Sequence, residues 1–136
     1  MKSVYYILTT LISLLVMQQV SYSQTISFCE DIKPDGQMIR PNIAFTIARG
    51  GGTIKMLVNL KIKVNGVKVV YKVYRLDDKG KKYPDQTIND IVKPEWLWFY
   101  TDLFLRSAGN YLVELYLDGS NNILASGKVR ILEDKE

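Results

Sequence analysis

The sequence predicts an all-β fold: a single two-sheet antiparallel sandwich of about seven strands, following a cleavable leader. Three observations predict it. Apolar and polar residues alternate with period two in one segment after another, with no heptad and no sustained helical period. Clusters of Gly, Pro, Asn and Asp punctuate those segments at short, regular intervals. The chain has 136 residues, 47% of them apolar and 24% charged, a length and composition that suit one folded domain and exclude a disordered or fibrous protein.

The leader spans residues 1–23. Lys2 supplies a positive start, Ile7 to Val16 is mainly apolar, and Ser21 and Ser23 place small residues at the −3 and −1 positions of a cleavage site. Thr9, Thr10, Ser13, Gln18 and Gln19 interrupt the apolar run, which falls short of the roughly 20 residues of a membrane anchor. No stable membrane span is therefore expected once the leader is removed, and the mature protein is expected in the periplasm or outside the cell. Residues 24–132 form the sandwich domain and 133–136 a charged tail.

In the mature chain, Thr25 to Ile32 reads as a first strand closed by Lys33-Pro34-Asp35-Gly36, a strong turn sequence. Ile43 to Ala48 is a second, ending at Gly50-Gly51-Gly52. The clearest alternation follows: Ile54, Met56, Val58, Leu60, Ile62 and Val64 against Lys55, Leu57, Asn59, Lys61 and Lys63. One side of this strand belongs to a core and the other largely to water. Asn65-Gly66 then offers a two-residue hairpin pairing Val64 with Val67, Leu60 with Tyr71 and Val58 with Val73. A crossing from one sheet to the other at the same place keeps the same core, and the sequence leaves both open.

Val67 to Leu76 is the next strand. Tyr83 to Ile91, with Pro84 and few apolar residues, is at most an edge strand. Trp96 to Leu105 is densely aromatic, and Asn110 to Asp118 and Ile123 to Leu132 complete the set. The expected core is Ile54, Met56, Val58, Leu60, Val69, Tyr71, Val73, Leu97, Phe99, Leu103, Tyr111, Val113, Leu115 and Val129.

Gly109-Asn110-Tyr111-Leu112-Val113 is similar to the Gly-x-Tyr-x-Val of the penultimate strand in immunoglobulin and fibronectin type III sandwiches. The chain lacks the paired cysteines of antibody domains, so it resembles bacterial immunoglobulin-like domains more closely. Phe45 to Ile47, Gly51 to Val58 and Trp96 to Phe99 also resemble stretches of small exported bacterial proteins of unassigned function. The likeness implies the sandwich fold and gives Tyr111 the role of anchoring a corner.

The composition narrows the chemistry. With no histidine and one cysteine, most zinc sites, haem ligation and His-dependent triads are excluded. Cys29 has acidic neighbours in Glu30 and Asp31, which oppose thiolate formation. Its apolar neighbours Ile26 and Phe28 favour a buried, inert thiol. The remaining carboxylates lie mostly at turns, and Asp118 to Asn122 reads as a hairpin loop, not a calcium site. No catalytic residue, metal or cofactor is expected, and the protein is expected not to be an enzyme.

Two surfaces stand out. Trp96, Trp98 and Tyr100 share one face of the aromatic segment, and exposed tryptophans are favoured anchors for proteins and sugar rings. Lys55, Lys61 and Lys63, with Lys68 and Lys72 on a facing strand, would form a stripe for anionic ligands. Without the leader the chain carries 17 basic and 14 acidic side chains, a net +3. That is weak for a polyanion binder, and nucleic acid is not expected as a partner. The expectation is a non-catalytic, exported binding or assembly module of the bacterial envelope with a protein partner. The alternative is a carbohydrate or anionic-glycan binding module.

Overall fold

The period-two alternation is realised as strands throughout. The computed structural model describes residues 24–60, 68–93 and 96–135, so the leader and the Asn65-Gly66 turn lie outside the described residues. Ten strands are present among the described residues: β1 Gln24–Cys29, β2 Asp31–Ile32, β3 Met38–Ile39, β4 Ala44–Ile47, β5 Gly52–Asn59, β6 Lys68–Leu76, β7 Lys82–Ile91, β8 Trp98–Leu105, β9 Gly109–Leu117 and β10 Ile123–Glu133. No helix among these residues is long and apolar enough to cross a membrane.

Strand number and pairing depart from the expected two sheets of about seven strands: ten strands are present among the described residues, and eight of them join in one hydrogen-bonded sheet. Seven strands lie on one hydrogen-bonded path, β7-β6-β9-β10-β1-β5-β8, with β4 added on β10 and β2-β3 forming a separate hairpin. The link in that path is β1. Gln24 and Thr25 run parallel to Ala125 and Ser126 of β10, and Ile26 to Cys29 then turn to pair antiparallel with β5. The close approach is permitted by Gly127, where a Cβ would meet the Ile26 carbonyl oxygen at 2.5 Å.

The sequence left open whether the strands flanking Asn65-Gly66 pair with each other, and among the described residues they do not. Val58 pairs with Phe99 of β8 and Ile26 of β1, and Val69, Tyr71 and Val73 pair with Leu117, Leu115 and Val113 of β9. The physical reason is partner choice: β8 and β9 bring Phe99, Leu103, Val113 and Leu115, so each strand buries an apolar face without the other. Glu30 also breaks the first expected strand into β1 and β2, its amide bonding instead to the Ile39 carbonyl (3.1 Å).

Inward residues from both stretches of the path form one core. It joins Ile26, Phe28, Ile54, Met56, Val58, Phe99, Leu103 and Leu105 to Val69, Tyr71, Val73, Tyr111, Val113, Leu115, Val129 and Ile131. Leu97 is the exception to the expected core, at 51% exposure. It precedes β8, and its carbonyl is held by the Leu60 amide (2.7 Å) while its side chain stays outside. Cys29 is fully buried, as its neighbours implied. At the corner between β8 and β9 the Tyr111 hydroxyl donates to the Ser107 carbonyl at 2.7 Å, which is a tyrosine corner.

Candidate functional site

The two ends of the path, β7 and β8, each pair on one side only. Curling of the sheet brings these free edges face to face, where side chains stitch them together. The Thr101 hydroxyl on β8 donates to Asp90 on β7 at 2.5 Å and lies 3.4 Å from the Tyr71 hydroxyl in the core. Further along, the Gln86 amide on β7 donates to the main-chain carbonyl of Phe104 on β8 at 2.8 Å. Such bonds satisfy edge groups that no strand covers.

Beyond the stitch, toward the start of β8, the edges border a groove of about 770 Å³ lined by Asp90, Ile91, Trp96, Leu97, Tyr100 and Asp102, among others. Ile91 is 64% exposed, Leu97 51%, Tyr100 46% and Trp96 38%. These four are nearly half of the nine exposed large apolar side chains among the described residues. Convergence of that kind on one concavity is the pattern of an interaction site, whereas scattered single residues would need no explanation.

Electrostatics within the groove are balanced. Lys55 on β5 donates to Asp102 at 2.7 Å and holds its ammonium 5.1 Å from the centre of the Tyr100 ring. The hydrogen bond to Asp102 is the main cause raising the Lys55 ammonium above the ordinary lysine range, against a smaller opposing effect of burial. Lys93 lies 5.4 Å from the Trp96 ring centre, within cation–π reach. Asp90 also accepts from the Ile91 amide at 2.8 Å.

All three aromatic candidates line the groove. Trp96 and Tyr100 stand exposed there, whereas Trp98 is half-buried. A Cβ on Gly36 would come within 2.8 Å of the Trp98 indole, and Gly36 has φ +89°, a backbone conformation that glycine adopts without strain. Trp98 therefore holds the hairpin onto the outer side of β8.

Lys55 does not face Lys68 and Lys72 on a neighbouring strand, because β5 pairs with β1 and β8, and β6 pairs with β7 and β9. Lys55 serves Asp102, Lys68 is exposed at the start of β6, and Lys72 lies 4.6 Å from the Tyr116 ring centre. Lys61 and Lys63 lie outside the described residues.

No family model and no curated protein matches the chain. Among solved structures, the chain is similar to an immunoglobulin-like protein from Pseudomonas aeruginosa, at 12% identity and a TM-score of 0.48, over 83% of this chain and 98% of that one. It is also similar to an alkylpurine DNA glycosylase from Pseudomonas fluorescens, solved bound to DNA containing an abasic-site analogue. That likeness has 10% identity and a TM-score of 0.34, over 87% of this chain and 33% of that one.

Asp90, Ile91, Gln86 and Thr101 were not singled out by sequence reasoning. Ile91 gave a faint signal, as an apolar residue closing a mostly polar segment; the others act only because two distant strands meet. A second cluster was also missed. Glu114 on β9 is 4% exposed, and accepts from Lys82 at 3.0 Å and from the Tyr116 hydroxyl. Burial, followed by the Glu114 hydrogen bond, pushes the Tyr116 phenol well above its ordinary value. Among the described residues no group of three or more acidic or thiol side chains is placed to hold a metal ion.

Proposed function

We propose that the protein is a non-catalytic, exported binding or assembly module of the bacterial envelope, acting through protein contacts in the β7/β8 groove. The observation that carries this reading is the convergence of Ile91, Trp96, Leu97 and Tyr100 on one concavity between two free sheet edges. Rigid aromatic side chains on a strand offer large contact area at small conformational cost, and free edges suit β-type association. The leader read in residues 1–23 supports export to the periplasm or beyond. In this reading β1-β5-β8 and β7-β6-β9-β10 act as the two layers of an immunoglobulin-type sandwich, with β1 as their hinge.

The test is capture from envelope extract on the immobilised protein, at low and high salt, alongside Trp96→Ala and Tyr100→Ala. A stoichiometric protein should be retained at both salt concentrations and lost in the two variants, with unfolding midpoints near that of the parent. Trp98 is excluded from the test because it supports Gly36. Undiminished capture by both variants would place the binding surface elsewhere.

A second reading, carbohydrate binding, draws on the Trp96 and Tyr100 rings standing beside Asp90, Thr101 and Asp102. Aromatic faces with nearby polar groups can seat a sugar ring. Its anionic version has less support, since Lys55 is engaged by Asp102. Retention of glycan in place of protein on the same column would favour it, and a steep loss with salt would restore the lysines as its basis.

A further inference from the structure

We infer that the outer edge of β8, from Trp98 to Asp102, receives an extended, uncharged segment of a partner protein as an added strand. This rests on the protein-binding reading of the groove and supplies its mode of recognition.

The inference comes from the direction of the main-chain groups. Along a strand, the amide and carbonyl of successive residues point alternately to the two neighbouring strands. The Leu97 carbonyl accepts from Leu60, at the end of the β5-β8 ladder, over 2.7 Å. The Phe104 carbonyl accepts from Gln86 of β7, on the opposite side, over 2.8 Å. The β5-β8 register runs from Gly52↔Leu105 to Asn59↔Trp98 without a shift. Odd-numbered residues of β8 are thereby committed to β5, and Trp98, Tyr100 and Asp102 direct their amides and carbonyls toward the groove. Gln86 takes up the Phe104 carbonyl. On the Trp98 and Tyr100 side of the Thr101–Asp90 contact the ladder borders the groove.

A row of donors and acceptors repeating every second residue, about 6.8 Å apart, matches the main chain of another strand. Charge selects among possible strands. Among the described residues Asp102 is paired with Lys55 and Asp90 accepts from the Thr101 hydroxyl and the Ile91 amide, while Ile91, Trp96 and Tyr100 are apolar and exposed. An uncharged, apolar-rich segment fits that field, and a highly charged one of either sign does not.

Amide hydrogen exchange of the purified protein, followed by NMR with and without a short capped peptide of alternating valine and threonine, tests the inference. Alone, the Trp98, Tyr100 and Asp102 amides should exchange quickly and those of Phe99, Thr101 and Leu103 slowly. The peptide should slow the first group about tenfold or more, independently of salt. Tyr100→Pro and Tyr100→Ala give the second measurement. Both remove the ring, but only proline also removes a groove-facing amide, so it should lose about fivefold more peptide affinity than alanine.

Equal losses in the two variants would overturn the added strand. So would peptide-induced shifts at Ile91 and Trp96 without slowed amides, an outcome that leaves the groove itself as a binding site. Slow Trp98, Tyr100 and Asp102 amides in the protein alone, dependent on its concentration, would make a second copy the occupant and overturn the partner segment. Absence of any response to the peptide would also overturn it.

Discussion

Tyr111 is fully buried, yet its hydroxyl is satisfied by the Ser107 carbonyl at 2.7 Å and lies 3.3 Å from the Ser107 hydroxyl. The bond ties the start of β9 to the turn that brings the chain over from β8. Tyr111→Phe keeps the ring in the core but leaves that carbonyl without its donor, at a cost of about 1–2 kcal/mol. Urea unfolding of the variant should show a lower midpoint with an unchanged slope, and an unchanged midpoint would deny the corner a stabilising role. Trp98 carries a comparable lesson for function: a side chain that reads as a free anchor in the sequence lines the groove half-buried, with Gly36 close against its indole.

At the scale of elements, β1 decides how the sheet is joined. Its first two residues pair with β10 and its last four with β5, and the switch requires β10 to come very close at Gly127. Gly127→Ala places a methyl group 2.5 Å from the Ile26 carbonyl oxygen and 2.9 Å from the Phe28 ring. Main chain cannot yield as a flexible side chain does, so the variant should lose about 1–3 kcal/mol. Faster hydrogen exchange in β1 than in β6 or β9 would locate the damage there; uniform exchange rates across all three would refute a local role for the junction. The β7 and β8 edges show the complementary device, since Gln86, Asp90 and Thr101 protect part of each edge and leave the rest accessible.

For the whole molecule, the buried titratable groups act in one direction. Burial, then Asp31, raises the Cys29 thiol, and burial is the main cause raising the Tyr71 and Tyr116 phenols. The folded state therefore keeps these protons to higher pH than the unfolded chain does. Their contribution is intact below about pH 8 and declines as pH rises through the thiol and phenol ranges, near 8.5 and 10. Thermal midpoints measured from pH 7 to 11 should fall on the alkaline side, and Cys29 should resist alkylation until the protein unfolds. A midpoint that holds steady to pH 11 would contradict the buried environment of these groups.

The sequence by itself determined the strands and which side of each is apolar. Period-two alternation in β5, β6 and β9 is local information, and thirteen of the fourteen expected core residues are buried. Leu97 failed because alternation was extended back past the start of β8, which no local signal marks. The tyrosine corner was legible only through the resemblance of Gly109-Asn110-Tyr111-Leu112-Val113 to the Gly-x-Tyr-x-Val of immunoglobulin and fibronectin type III sandwiches. Tertiary structure alone decided which strands are neighbours. An apolar face accepts any apolar face, so Val58 could satisfy itself on Val73 or on Phe99 with little difference in local preference. That choice separated Lys55 from Lys68 and Lys72, seated Trp98 on Gly36, and brought β7 and β8 together to make the groove. Sites built between distant strands depend on that choice, because neighbouring residues carry no record of it.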